Sequence, residues 1–309
     1  MAQKRSPIQS KQDHRFGGDW TQTKLDVIEK YLSAYTTALK KQPFSKAYID
    51  AFAGTGYRSN SRVKEELDAT ELLFPELAEP EPQELRDGSA RIALKTSPPF
   101  DRYIFIEQSP DRCAALEALK DEFPTLSNAI KVRQGEANHE IRQLCELDWS
   151  ERRAVLFLDP YGMQVEWRTL EAIARTKAID LWLLFPLGAA VNRMITRSGK
   201  ISEAWRSRLN LLFGTSDWEE ACYQTASPPS QGTLFSAQPA PKEKVPIEQI
   251  GRYFFERLKT LFPEGAVSEP VALKNSANCP LYLLWFAASN ERGARVALKI
   301  AKHILNGVR

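Results

Sequence analysis

The sequence predicts an α/β fold: a mainly parallel seven-stranded sheet with a terminal antiparallel strand pair and helices on both faces. Two patterns carry this. Short, uninterrupted apolar runs alternate with stretches whose apolar residues recur every three or four positions, as buried parallel strands and crossover helices do. The last two apolar runs are instead joined by a stretch of hairpin length, Lys274 to Pro280. The chain has 309 residues, 43% hydrophobic and 26% charged, which is enough for one large domain or two small ones with a substantial core. That composition excludes a disordered tail protein.

Along the chain, Leu25, Ile28, Leu32, Tyr35 and Leu39 form one stripe of an amphipathic helix ending near Pro43. A strand-like run from Ala47 then breaks into the glycines Gly54 and Gly56. Arg58 to Pro99 is acidic and proline-containing, read as an insertion that is helical in part around Val63 to Leu73. Tyr103 to Glu107 is the second strand, and Cys113, Leu116, Leu119 and Phe123 mark the helix after it. Ala129 to Val132 reads as the third strand, followed by a short helix with Ile141, Leu144 and Leu147 on its apolar face and Asn138 as its cap. Ala154 to Leu158 is the fourth, running into Asp159-Pro160-Tyr161-Gly162, and Ile179 to Phe185 is the fifth. Ser227 to Pro246, rich in Pro, Ser, Gln and Ala, reads as a mobile loop. A helix through Ile247, Ile250, Phe254, Leu258 and Leu261 leads to the final strands, Val267 to Leu273 and Leu281 to Ala287.

Several chemistries are disfavoured. Cys113, Cys145, Cys222 and Cys279 are scattered without a C-x-x-C pair and read as buried thiols. His14, His139 and His303 make no metal-ligand spacing, so no metal is expected and a Ser-His-Asp hydrolase is a poor fit. The sequence contains no apolar stretch long enough to span a membrane, and its N-terminus is polar and basic, so a soluble, cytoplasmic protein is expected. A net charge of +3 does not by itself call for a nucleic-acid partner.

In open α/β sheets ligands bind beyond the carboxyl ends of the strands. The residues there are Asp50, Phe52, Gly54 and Gly56, then Glu107, then Glu136 and Asn138, then Asp159, Pro160 and Tyr161. Glycines let a ligand approach the backbone, and an acid ending the second strand suits the hydroxyls of a ribose. The third strand end is placed to frame an adenine, and the fourth sets a carboxylate beside an aromatic ring. Ser59 stands where a dinucleotide loop has its third glycine, and no phosphate-cradling G-x-x-x-x-G-K-[ST] occurs, so a nucleoside cofactor without pyrophosphate fits better. Tight-turn and capping roles remain the alternatives at each position.

Asp50-Ala51-Phe52-Ala53-Gly54-Thr55-Gly56 resembles the first motif of class I methyltransferases, often D-x-F-A-G-x-G in enzymes acting on nucleic acid. Asp159-Pro160-Tyr161-Gly162 is similar to the D-P-P-Y of amino-methyltransferases, one proline short, and to the D-P-F-G of tRNA guanine-N2 dimethyltransferases. Over nearly its full length, including Phe157 to Gly162 and Ile179 to Pro186, the chain further resembles the bacterial three-Cys-motif partner proteins. The resemblance implies a Rossmann-like class I methyltransferase domain over 46–309, with its acidic insertion at 58–99 and mobile loop at 227–246, preceded at 1–45 by a basic segment and a packing helix. It implies S-adenosylmethionine as cofactor, with Asp50, Gly54 and Gly56 under the methionine portion, Glu107 on the ribose and Glu136 near the adenine. Asp159 to Tyr161 would face the methyl acceptor, an exocyclic amine of a nucleic-acid base. The family name implies a different role, a non-catalytic subunit docking onto a three-Cys-motif, radical-chemistry-like protein in a DNA-repair or phage-associated system.

Basic residues cluster at Arg193, Arg197, Lys200, Arg206 and Arg208, after the fifth strand and on the edge that carries Asp159. They are read as a phosphate-tracking groove for DNA or RNA, with a solvated helix face as the alternative. No Cys directly follows Pro160, which argues against thiol-based cytosine C5 chemistry.

Overall fold

The computed structural model describes residues 19–55, 88–225, 242–275 and 277–308. Gly56, the basic segment before residue 19, residues 58–87 of the acidic insertion and residues 227–241 of the expected loop lie outside them.

The strands are β1 Ser45–Asp50, β2 Arg102–Glu107, β3 Ile130–Gln134, β4 Arg152–Leu158 and β5 Ile179–Phe185, then β6 Tyr223–Thr225, β7 Lys242–Lys244, β8 Val271–Lys274 and β9 Pro280–Ala288. The principal helices are α1 Asp19–Ala38, α2 Ser89–Lys95, α3 Pro110–Glu122, α4 Ala137–Cys145, α5 Trp167–Arg175, α6 Glu203–Phe213, α7 Ile247–Leu261 and α8 Glu291–Asn306. Seven strands form one sheet in the order β3-β2-β1-β4-β5-β9-β8. The first five are parallel, and β9 runs antiparallel to both β5 and β8. This is the Rossmann-like arrangement of class I methyltransferases, with one reversed strand inserted beside the fifth. The order reverses between β1 and β4, the switch point where such sheets bind ligands.

Alternation along the strands builds two apolar layers. Tyr48, Phe105, Phe157, Trp182 and Phe286 face one side, where Ile28 and Tyr31 of α1, Leu116 and Leu119 of α3 and Ala301 and Leu305 of α8 cover them. Ile49, Leu156, Leu158, Leu181 and Trp285 face the other, covered by α4, α5, α6 and α7 through Ile141, Leu170, Leu209 and Phe254. Trp182 and Trp285 are buried, and Trp205 is half-buried against the second layer.

Some local expectations are corrected. The cap of α4 is Glu136, whose carboxylate accepts from the backbone N–H groups of Asn138 and His139, while Asn138 is inside the helix. Leu147 falls beyond the helix and is exposed. Of the eighth strand only Val271–Lys274 is regular, because Pro270 has no N–H to donate; Val267 still bonds to the Phe286 carbonyl. Cys113 and Cys222 are buried, but Cys145 is half-buried and Cys279 is exposed in the hairpin before β9. At the C-terminal end of the expected loop 227–246, β7 pairs with β6 as a separate two-stranded ladder.

Candidate functional site

The site starts at the end of β1. Asp50 is wholly buried, receiving a hydrogen bond from the Tyr48 hydroxyl at 3.2 Å on one oxygen and from the Phe52 amide at 3.3 Å on the other. Burial pushes its carboxyl up to about 6, the hydrogen bond from Ser89 at the start of α2 opposes this, and the nearby charge of Asp159 reinforces it. With its oxygens turned inward, Asp50 fixes the bend at which Phe52, half-buried, leads into the glycine loop.

Gly54 adopts φ +59°, which glycine tolerates at little cost, and a Cβ placed there would meet nothing within 4 Å. Its N–H donates to Glu107 Oε2 at 3.0 Å, joining the end of β1 to the end of β2. Glu107 Oε1 accepts the amides of Gln108 and Ser109, both at 2.9 Å, and Arg112 Nε stands 3.7 Å away. A carboxylate has about four acceptor positions. Three are filled by backbone, and among the described residues Oε2 keeps one without a partner on the side of Gly54.

The end of β3 is stitched to the same place, since the Gly135 amide donates to the Glu107 carbonyl at 3.0 Å. Glu136 follows, exposed and engaged in capping α4. Asn138 is buried and its amide is fully used: Nδ2 donates to Glu136 and to the Gln164 carbonyl, and Oδ1 accepts from the Glu166 amide and the Thr169 hydroxyl. Gln164 in turn accepts the Tyr161 amide at 3.2 Å. Asn138 is thus a strut between α4 and the turn that carries Tyr161, and all the donors and acceptors of its amide point into the protein.

At the end of β4, Asp159 is three-quarters buried, Pro160 is buried, and Tyr161 is 51% exposed. Gly162 at φ +63° lets the chain turn back toward α5. Beneath the turn the packing leaves a void of about 10 Å³, too small for an organic ligand.

One partner of Asp159 went unrecognised in the sequence. Lys24 of α1, itself 6% exposed, donates from Nζ to Asp159 Oδ2 and lies 5.3 Å from the Trp20 ring. Asp159 Oδ1 makes no hydrogen bond among the described residues. The signal was a lysine at a helix position that the apolar periodicity assigns to the buried face, one turn before Ile28. Tyr48 and Ser89, which hold Asp50, were also missed; Tyr48 read only as a strand residue and Ser89 fell within the expected insertion.

The structure therefore brings Asp50, Gly54 and Glu107 together at the ends of β1 and β2, with Asp159 near enough to Asp50 for their charges to interact. The basic cluster follows β5 on the same edge. Arg206 is committed to Glu219 at 2.6 Å and to Glu203, whereas Arg197 and Lys200 are exposed and make no ion pair among the described residues. Arg193 and Arg208 are half-buried. Among the described residues, no group of three or more His, Cys, Asp or Glu could hold a metal ion, and no helix is long and apolar enough to cross a membrane.

No protein-family model matches the chain, and no curated protein is recognisably similar to it in sequence. Among solved structures it is similar to protein LPL1258 of Legionella pneumophila at 14% identity, over 65% of this chain and 76% of that one, with a TM-score of 0.40. It is also similar to YcgJ of Bacillus subtilis at 13% identity, over 83% and 94% of the two chains, with a TM-score of 0.30. Magnesium protoporphyrin IX methyltransferase (ChlM) of Synechocystis, crystallised with SAH, matches at 13% identity over 75% and 86%, also with a TM-score of 0.30. The fold assignment stands on the strand order and not on these likenesses.

Proposed function

We propose that this chain is an S-adenosylmethionine-binding, methyltransferase-like protein acting on an exocyclic amine of a nucleic-acid base. The observation that carries the reading is the bond from Gly54 to Glu107: a positive-φ glycine loop and a strand-ending carboxylate, far apart in sequence, meet beside open space at the sheet's carboxyl edge. These residues suit a nucleoside. The spare acceptor position of Glu107 Oε2 would take a ribose hydroxyl, Gly54 would allow close approach of the ligand, and Glu136 would lie toward the adenine. Gly56 is assigned to the methionine portion by motif alone.

When bound, the cofactor would supply an electrophilic methyl group. The chain's own part is to present the acceptor. An exocyclic amine has its lone pair delocalised into the ring, and Asp159 Oδ1 with the Pro160 carbonyl would accept its N–H bonds and localise that pair. Lys24 holds the other oxygen and so fixes the carboxylate's direction. Tyr161, half-exposed above the turn, would stack on the base, which is worth roughly 1 to 3 kcal/mol against the few kcal/mol needed to unstack it from a strand.

Titration calorimetry with S-adenosylmethionine tests the first half, and absence of heat would remove both cofactor and reaction. Transfer of labelled methyl to bulk DNA or RNA tests the second. Asp159→Ala should abolish it, and undiminished transfer would remove Asp159 from the mechanism.

A second reading rests on the Lys24–Asp159 pair itself, which partly satisfies the carboxylate from within the chain. In that reading the chain keeps the fold and the cofactor but serves as a docking subunit for a three-Cys-motif protein. S-adenosylmethionine binding with no methyl transfer to any nucleic acid would favour it.

A further inference from the structure

Beyond β5 the chain enters a π-helical turn, Leu187–Val191, and then the loop that carries Thr196, Arg197 and Lys200. The β6–β7 ladder docks on this loop. The Tyr223 hydroxyl donates to the Thr196 carbonyl at 2.7 Å, the Tyr223 ring lies 3.9 Å from where a Cβ on Gly199 would stand, and Lys244 Nζ donates to the Asn192 carbonyl. Lys244 is directly opposite Tyr223 in the ladder and Lys242 opposite Thr225. Two-residue periodicity therefore puts both lysines on the face that meets the loop, and Glu243 on the other.

Four cations from segments more than forty positions apart are thus gathered on one surface. Arg197, Lys200 and Lys242 are exposed, and none of the four is ion-paired among the described residues. The nearby carboxylate of Glu219 is taken by Arg206. Arg197 is close enough to Lys244 that, with burial as the larger cause, it lowers the lysine's affinity for its proton. Folding has placed like charges side by side at an energetic cost and, among the described residues, left them without an ion pair, an arrangement that an external polyanion relieves. The loop follows β5 through the π-helical turn, whose Gly188 packs against Pro280 of β9, and β5 also pairs with β4, which leads into Asp159.

We propose that Arg197, Lys200, Lys242 and Lys244 form the phosphate-tracking surface along which a nucleic-acid strand reaches the Asp159 turn. This deepens the function proposed above and rests on it only for what happens at the turn. It also redraws the basic cluster, leaving out Arg193, Arg208 and the internally paired Arg206 and adding two lysines of the ladder.

The test is fluorescence anisotropy of labelled single-stranded DNA and RNA oligonucleotides across a salt series. Arg197→Glu/Lys242→Glu reverses two side chains that are exposed, so their reversal leaves the fold intact. It should weaken binding at least about tenfold and lower the slope of log K against log salt by roughly 1.4, since each phosphate contact on a single strand contributes about 0.7. Lys299→Glu/Lys302→Glu on α8 changes the net charge equally and should leave affinity within about twofold. Equal losses in the two variants, or no loss in the first, would overturn the surface. Calorimetry with S-adenosylmethionine on the wild-type chain separates the two ideas. Strand binding that depends on Arg197 and Lys242 without cofactor binding would sink the methyltransferase reading alone. Cofactor binding with no strand binding would sink the surface and the nucleic-acid substrate and leave the cofactor site standing.

Discussion

Lys24 of the first helix donates to the carboxylate of Asp159 at the end of β4, a contact spanning most of the N-terminal half of the chain. Lys24 is almost fully buried and Asp159 three-quarters so, and removing one partner of such a pair strands the other's charge. Lys24→Met keeps the length and the packing of the stem. It is expected to lower stability by about 1 to 3 kcal/mol in thermal or urea unfolding, the cost of leaving the partly exposed carboxylate without its donor. Lys24→Met/Asp159→Asn should recover most of that loss, and a double variant no more stable than the single one would show that the pair contributes through something other than charge.

Glu107 accepts three backbone amides, from Gly54, Gln108 and Ser109. Glu107→Ala should cost about 1 to 3 kcal/mol by orphaning them. Glu107→Gln is the more informative change, because its single amide oxygen can serve only one side of the fan. Nucleoside binding by calorimetry is expected to weaken about tenfold or more while the melting temperature moves only a few degrees. Unchanged affinity would place the ribose elsewhere.

The sheet was legible because strand burial writes itself into sequence as unbroken apolar runs. Ala154 to Leu158 and Ile179 to Phe185 are completely buried, and runs this short between turn residues suit strands covered on both faces. The meeting of Gly54 and Glu107 was legible for a related reason, since parallel strands put their carboxyl ends on one edge whatever the length of chain between them. Lys24 was not, because the pairing of a helix lysine with a distant carboxylate is a tertiary event and the apolar stripe says only that position 24 faces inward. Asn138 was misassigned as a cap for a similar reason: the helix starts earlier, and Glu136, two residues before, accepts the amides of Asn138 and His139 and leaves Asn138 inside the first turn.

That reassignment is itself testable. Asn138→Ala would leave the Thr169 hydroxyl, the Glu166 amide and the Gln164 carbonyl without their buried partner. A loss of about 1 to 3 kcal/mol is expected in urea unfolding even though alanine is the better helix former, because buried groups lose their partner. Because the strut supports the Tyr161 turn through Gln164, methyl transfer should fall more steeply than cofactor affinity. Cofactor affinity lost in proportion would instead mean that Asn138 touches the nucleoside.

Asp180 in β5 accepts the Tyr31 hydroxyl at 2.6 Å inside the aromatic layer formed by Tyr31, Trp182 and Phe286. Burial pushes its carboxyl up to about 7, partly opposed by that hydrogen bond and by the charge of Arg153. A carboxyl raised in the folded state holds its proton where the unfolded chain has already released one, so its contribution to stability is fully present below about pH 4 and is lost as pH rises through about 7. Asp50, raised to about 6 for the same chief reason, adds a parallel loss ending one unit lower. Asp180→Asn keeps an oxygen for Tyr31 and has no proton to lose. Its melting temperature should exceed the wild type's by several degrees at pH 8, and the gap should close as pH falls toward 4. A gap of the same size at both pH values would show that Asp180 does not titrate across this range in the folded protein.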